Sequence, residues 1–326
     1  MASAAKKIGV FTSGGDAPGM NAAIRAVVRS GIYYGLEVVG IIRGYEGMIN
    51  GNAQVMNLRS VSNIIQKGGT ILKTSRSTEF MTTEGRDKAA IFLKKENIDG
   101  IIAIGGNGTL TGLLEFRKHW DGQMIALPGT IDNDLYGTDY TIGFFTAVQT
   151  AIEAIDKIRD TADAHERVFL IEVMGRHAGF IALDSGIAGG AESILIPEVD
   201  TEVNRCATMF LDGFKKGKTS SIIVVAEGNS LGRVTNVANR LKETTGIDAK
   251  VVIIGHVQRG GSPMVGDRVL ASKLGVYAVE MMIEGQDNVM AGEINGQCTL
   301  TSIDDAVNNR KLIDPFKLKI ASILAI

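Results

Sequence analysis

The chain predicts an α/β protein of two similar doubly wound domains with mainly parallel sheets. Three observations predict it. Short apolar runs recur along the chain, nearly all of them end in a glycine-rich or polar turn, and helical patterns follow many of them. The 326 residues suit about two domains, each large enough to bury its own core.

Composition narrows the function classes. The chain is 45% hydrophobic and 21% charged with a formal net charge of -2, which gives no electrostatic case for nucleic acid or an acidic membrane as the main partner. Cys206 and Cys298 are the only cysteines and lie far apart, against a disulfide framework or a cysteine zinc cluster. A reducing cytoplasm fits. No apolar run approaches the ~18 residues of a membrane helix, and the first seven residues carry no cleavage-type segment. Forty glycines against five prolines are more telling, because the glycines cluster directly after apolar runs, where backbone must approach something closely.

Residues 7–12 read as a strand, followed by Ser13-Gly14-Gly15-Asp16-Ala17-Pro18-Gly19 and a helix over 20–34. This layout offers free backbone N–H groups to a phosphate. It lacks the G-x-G-x-x-G spacing of a dinucleotide fingerprint, and a tight βα turn is the plainer reading. A second strand over 37–42 ends at Gly44-Tyr45-Glu46-Gly47, and residues 61–66 read as a short helix. Arg76 follows a polar, glycine-led segment, where it could clamp a phosphoryl oxygen or simply lie on the surface. A helix over 86–96 leads into the apolar strand 100–104, of the buried parallel kind, and then Gly105-Gly106-Asn107-Gly108-Thr109.

The strand over 124–127 runs into Pro128-Gly129-Thr130-Ile131-Asp132-Asn133-Asp134. Its two aspartates emerge at a strand's carboxyl end, where open α/β sheets bind ligands. One could serve as a general base and the other face a metal, with an Asx-type turn as the plainer alternative. A long helix over 141–159, a strand over 168–173 and the turn Met174-Gly175-Arg176-His177-Ala178-Gly179 echo the amino-terminal unit, so a second α/β domain is expected from near Gly137. Strands over 193–196, 221–226 and 251–254 continue the alternation, followed by a helix over 268–284 and a tail, helical or irregular, that carries no chemistry. Residues 213–219 imitate a P-loop but have one residue too few between their glycines and precede a strand instead of following one. Gly217 reads as a helix stop.

In a doubly wound sheet these turns would converge on one crevice. The inventory there is backbone donors, arginines, two aspartates and a few hydroxyls, with no catalytic cysteine and no Ser/His/Asp set. Phosphoryl transfer needs such an inventory, since it depends on positioning and charge stabilisation more than on covalent chemistry. Residue spacing alone supports a phosphate-handling α/β enzyme.

Residues 13–21, 128–134, 174–176 and 255–261 together closely resemble the bacterial ATP-dependent 6-phosphofructokinases, in order and with similar spacing through essentially the whole chain. The resemblance implies transfer of the ATP γ-phosphoryl group to the 1-hydroxyl of fructose 6-phosphate, with Mg²⁺, in a cytoplasmic homotetramer. It also implies a nucleotide-binding domain over 1–138 plus 251–305 and a sugar-phosphate domain over 139–250 plus 306–326. By position, Asp132 resembles the base and Thr130 lies beside the transferring group. Arg176 and Arg76 would stabilise its charge, the N–H of Gly15 would hold the γ-phosphate, and Asp134 would help hold Mg²⁺. Arg86, Gly106, Gly108 and Thr109 resemble the nucleotide site. Met174, Gly175, Glu227, His256 and Arg259 resemble the sugar-phosphate site, which Arg167 would enter from a neighbouring subunit. Without the resemblance, His256 reads as a core histidine and Glu227 as a capping residue. Arg25, Arg29, Arg59, Arg159, Glu192, Lys216 and Lys218 resemble an allosteric site for a nucleoside diphosphate or phosphoenolpyruvate, or else solvated helix faces. Gly129 and Gly108 favour ATP over pyrophosphate, because pyrophosphate-using relatives carry Lys and Asp there, where the α-phosphate must pass.

The chain departs from the family at four places. Asn107 stands where the family places a Mg²⁺-directed aspartate. An amide oxygen can still ligate, but losing one charge costs up to roughly 4 kcal/mol at about 4 Å and an effective dielectric of about 20. Turnover lower by about 10²-fold or more would follow. Lys250 replaces an arginine directed at the partner's sugar phosphate, Met81 an arginine near the nucleotide, and Ile42 a tyrosine that packs on the base. Two functions therefore stand: an active ATP-dependent sugar-phosphate kinase, and a catalytically weak, ligand-sensing regulatory paralog. Intact Asp132, Asp134, Thr130 and Arg176 favour the kinase.

Overall fold

The computed structural model describes residues 5–199, 217, 219–230 and 232–325. In chain order its regular elements begin with β1 (Lys7–Thr12), α1 (Met20–Tyr33), β2 (Glu37–Ile41), α2 (Gly44–Asn50), β3 (Ala53–Met56) and α3 (Thr83–Lys95). There follow β4 (Gly100–Gly105), α4 (Asn107–Phe116), β5 (Gln123–Pro128), α5 (Phe144–Ala164), β6 (Val168–Val173), α6 (Phe180–Ala188), β7 (Ser193–Leu195) and β8 (Ser221–Ala226). The last are α7 (Val234–Thr245), β9 (Lys250–Ile253), α8 (Val265–Ile283), β10 (Val289–Ile294), β11 (Gln297–Ser302), α9 (Ile303–Asn308) and α10 (Pro315–Leu324).

The chain forms two compact units. Unit 1 comprises Met1–Thr130, Leu135–Phe145 and Arg259–Lys311, and unit 2 comprises Ile131–Asp134, Thr146–Gln258 and Leu312–Ile326. Unit 1 holds a seven-stranded sheet in the order β11-β10-β5-β4-β1-β2-β3. Its five inner strands are parallel, with antiparallel edges at β3 and β11. Every residue of β4 is buried, as expected of a parallel strand covered on both faces. An aromatic series runs through one side of the core. Phe11, Tyr45, Phe80, Phe116 and Trp120 follow one another at ring separations of 5.1, 3.9, 5.4 and 5.8 Å. Each fully buried phenylalanine contributes about 1.5–3 kcal/mol. On unit 1's α1, Ala26 closes on Gly275 of α8, where an added Cβ would stand 2.6 Å from the alanine methyl.

Unit 2 holds a four-stranded, wholly parallel sheet in the order β7-β8-β6-β9. Val168, Leu170, Ile223, Val225, Val234 and Leu241 form a core on one of its faces.

Several expectations are corrected. Residues 61–66 form successive turns and no helix, because Asn63 adopts a left-handed φ of 54° and the Asn57 carboxamide oxygen accepts from the N–H groups of Arg59 and Ser60. Residues 44–47, expected as a turn, open α2, which buries Tyr45 and Met48 and stops at Gly51 with φ 68°. The tail contains the β10–β11 hairpin, turned by Asn295 and Gly296 at φ 51° and 76°, the Asn-Gly signal of a tight hairpin. The helix expected over 86–96 starts earlier, at Thr83, because the Thr82 hydroxyl accepts the Gly85 N–H. The one expected over 141–159 occupies Phe144–Ala164.

Candidate active site

In unit 1 the strands β1, β4 and β5 are adjacent and parallel, so their carboxyl ends place three loops side by side. Backbone bonds join them: Ser13 donates its N–H to Ile104, and Gly129 donates to Gly105 at 3.0 Å. The Thr109 hydroxyl donates to the Ser13 carbonyl at 3.1 Å. Gly106 packs on Thr130, whose Cβ would lie 3.2 Å from a Cβ added at Gly106. The Thr130 carbonyl in turn accepts the Thr141 hydroxyl at 2.6 Å. The structure thus brings Gly15, Gly106, Asn107, Gly108, Thr109 and Thr130 onto three joined loops.

Asn107 and Gly108 are exposed in the first turn of α4, which has no side-chain cap. Their position at the start of the helix supplies the positive dipole end that suits an anion. Gly108 opens onto empty space, whereas a Cβ at Gly129 would stand 2.9 Å from Ile104 Cγ2 and 3.1 Å from the Gly105 nitrogen. Gly129 therefore has a packing reason of its own, and of the two glycines only Gly108 leaves room for a side chain.

The segment bearing Arg76 is stitched to the amino-terminal glycine turn. Thr12 donates its hydroxyl to the Lys73 carbonyl at 2.9 Å and bonds Thr70 at 2.9 Å. Thr74 donates to the Gly14 carbonyl at 2.7 Å. Asn21, 1% exposed, donates to the carbonyls of Lys67 and Gly68 and accepts the Ile71 N–H at 2.8 Å. These four residues hold the loop, and only their clustering in space reveals it. Arg76 itself is exposed. Arg86 is half-buried and donates from Nη1 to the carbonyls of Phe80 and Met81 at 3.2 and 3.0 Å. Arg259, expected beside the sugar phosphate, donates from Nη1 to the Asp16 carbonyl at 3.0 Å. Met81 is 78% exposed, and Ile42 is half-buried after β2.

In unit 2 the turns after β6 and β8 meet. Glu227 Oε1 accepts the N–H groups of Gly175 and Arg176 at 3.3 and 2.7 Å, so the carboxylate does cap backbone. Those bonds hold Arg176 in a left-handed conformation, φ 54°. Arg176 Nε lies 3.8 Å from Oδ2 of Asp132, whose side chain is 6% exposed. Asp132, Arg176, Gly175 and Glu227 thus form one connected group, with Asp134 two residues beyond Asp132 and half-buried. Gln258, fully buried, accepts the Met174 N–H at 2.9 Å and donates to Ala147 at 3.2 Å. That anchoring role carries no signal in sequence. His256 is exposed on the 3₁₀ turn Gly255–Arg259, which rules out a core histidine. Arg167 is exposed. Lys250 pairs with Asp248 at 2.6 Å.

The expected effector residues fall in three places. Arg25 and Arg29 lie on α1 and Arg59 in an exposed turn, all in unit 1. In unit 2, Arg159 donates to the carbonyls of Gly189 and Gly190 and sits 3.7 Å from Glu192. Lys216 and Lys218 lie outside the described residues, as does Cys206. Among the described residues no cluster of three or more His, Cys, Asp or Glu side chains is assembled for a metal, and no helix is long and apolar enough to cross a membrane. Asn107 in unit 1 and Asp134 in unit 2 each carry a side-chain oxygen, the donor type preferred by Mg²⁺, a hard cation that takes few protein ligands beside water and phosphate.

Parallel sheets whose loops present helix N-termini, glycines and arginines define an α/β protein of the phosphate-handling class. The comparisons narrow this. The phosphofructokinase family pattern matches residues 7–282, and the chain belongs to that family. It is 55% identical over 98% of its length to all of the "ATP-dependent 6-phosphofructokinase 1" of Thermus thermophilus. It is likewise 55% identical to the ATP-dependent 6-phosphofructokinase of Cytophaga hutchinsonii, covering 97% of both chains. Phosphofructokinase from Saccharomyces cerevisiae superposes with a TM-score of 0.88 at 37% identity, across 98% of this chain and 46% of the yeast chain. A pyrophosphate-dependent enzyme from Marinobacter aquaeolei shares the fold at 21% identity, TM-score 0.84, over 98% of this chain and 91% of its own.

Proposed function

We propose that this chain transfers the γ-phosphoryl group of ATP to the 1-hydroxyl of fructose 6-phosphate, giving fructose 1,6-bisphosphate and ADP. The observation that carries the reading is the buried Asp132 carboxylate beside Arg176, in a chain 55% identical to enzymes named for ATP-dependent transfer. Asp132 takes the proton of the 1-hydroxyl as that oxygen bonds to the γ-phosphorus and the bond to ADP breaks. Arg176 and Arg76 stabilise the charge on the moving group, beside Thr130. The Gly15 N–H and the first turn of α4, with Gly106, Asn107, Gly108 and Thr109, hold the phosphates, and Arg86 holds the nucleotide. Met174, Gly175, Glu227, His256 and Arg259 hold the sugar phosphate, reached from a partner subunit by Arg167 and Lys250. Unit 1 is the nucleotide-binding unit and unit 2 the sugar-phosphate unit.

Asp134 and Asn107 would hold Mg²⁺, which when bound neutralises charge on the β- and γ-oxygens. Arg25, Arg29, Arg59, Arg159, Glu192, Lys216 and Lys218 serve a regulatory site for a nucleoside diphosphate or phosphoenolpyruvate in a cytoplasmic homotetramer. The relatives favour the active kinase over the regulatory paralog. A coupled assay of the purified protein with ATP, Mg²⁺ and fructose 6-phosphate is expected to show turnover. Silence at saturating metal, with turnover restored by Asn107→Asp, would overturn the reading for this chain.

A further inference from the structure

Arg86 does not stand alone. Its Nε donates to Nε2 of His119 at 3.2 Å, and His119 Nδ1 lies 2.6 Å from Asp87 Oδ1. A guanidinium can only donate, so Nε2 must be the acceptor, and the ring is the neutral tautomer whose Nδ1–H donates to Asp87. With Nη1 committed to the carbonyls of Phe80 and Met81, two edges of the guanidinium are fixed and the Nη2 edge remains for a ligand. The His119 side chain is 13% exposed and precedes Trp120, which is packed on Phe116 at 5.8 Å. The imidazole is thus seated by the core, while the arginine it aims is half-solvated.

We infer that His119 is a positioning residue for nucleotide binding: its Nε2 accepts from Arg86 Nε and so aims the guanidinium at a phosphate of ATP. Asp87 of α3 holds the ring by its other nitrogen. Loss of the acceptor therefore weakens MgATP and leaves the sugar phosphate untouched. The inference rests on the proposed role of Arg86 at the nucleotide.

The test is calorimetric titration of the full-length protein with MgATP for wild type, His119→Ala, His119→Gln and Arg86→Ala. The glutamine keeps an oxygen acceptor near the place of Nε2. His119→Ala is expected to weaken MgATP about fivefold to tenfold, His119→Gln to stay within about twofold of wild type, and all to bind fructose 6-phosphate normally. If Arg86→Ala weakens MgATP while His119→Ala does not, or if His119→Gln loses as much affinity as His119→Ala, the inference fails and the reading of Arg86 survives. If Arg86→Ala leaves affinity unchanged, that reading falls and the inference with it.

Discussion

Nη1 of Arg259 stands 2.6 Å from where a Cβ on Gly15 would be, while donating to the carbonyl of Asp16. The bare α-carbon of Gly15 is what admits the guanidinium to the glycine turn. Gly15→Ala is therefore expected to push Arg259 off the turn. The displaced group is the mobile end of a long side chain, so the melting temperature should change little while kcat/KM drops by about tenfold or more. Thermal melts and steady-state kinetics on one preparation separate the two effects.

Gly108 and Gly129 make a matched pair. Gly108→Asp enters open space in the first turn of a helix, where a carboxylate is tolerated or mildly stabilising. The variant should fold as wild type and raise the KM for ATP about tenfold or more by charge repulsion. Gly129→Lys meets the side chain of Ile104 and the backbone of Gly105, and should lose about 1–3 kcal/mol in urea denaturation. Equal ATP kinetics for Gly108→Asp would undo the donor argument.

Asp132→Ser removes the buried carboxylate beside Arg176. The expected result is kcat lower by about 10²–10⁴-fold with fructose 6-phosphate affinity nearly unchanged. An unaltered rate in stopped-assay product measurements would rule Asp132 out as base.

Asn107→Asp should lower the Mg²⁺ concentration giving half-maximal rate by about tenfold or more, since a carboxylate suits the hard cation better than an amide does. A titration of rate against free Mg²⁺ at fixed ATP reads it directly.

Lys250 and Lys242 hydrogen-bond to Asp248 and lower its carboxyl from 3.8 to about 2. A depressed value favours folding above the ordinary one, and that contribution fades as pH falls through about 2. Asp248 is thus a charged competitor for Lys250 throughout the working range. Asp248→Asn should free the lysine and lower the KM for fructose 6-phosphate about twofold to fivefold, with the difference from wild type constant between about pH 6 and pH 8.

The residues that sequence made legible share a feature: they follow strands. Asp132, Gly106 and Gly175 could be placed because apolar runs end just before them, and the parallel pairing of β1, β4 and β5 turns that pattern into neighbouring loops. What stayed hidden depends on contacts without periodicity. Asn21 holds a loop 50 residues away in the chain, Gln258 looks like any polar member of its turn, and the Arg86–His119 bond spans 33 residues. The helix α2 was hidden for a different reason. Its Gly44 and Gly47 read as punctuation, yet Gly47 is there because the Ile42 carbonyl leaves no room for a side chain.

The backbone passes between the two units five times, at 130/131, 134/135, 145/146, 258/259 and 311/312. Unit 1 takes β10, β11 and α8 from its last segment, Arg259–Lys311, and β10 pairs directly with β5. During synthesis that sheet therefore waits, incomplete and with the β5 edge bare, until β10 has left the ribosome. No simple truncation yields either unit intact, and a ribosome stalled before residue 259 would hold a nascent chain with an open strand edge for chaperones to cover.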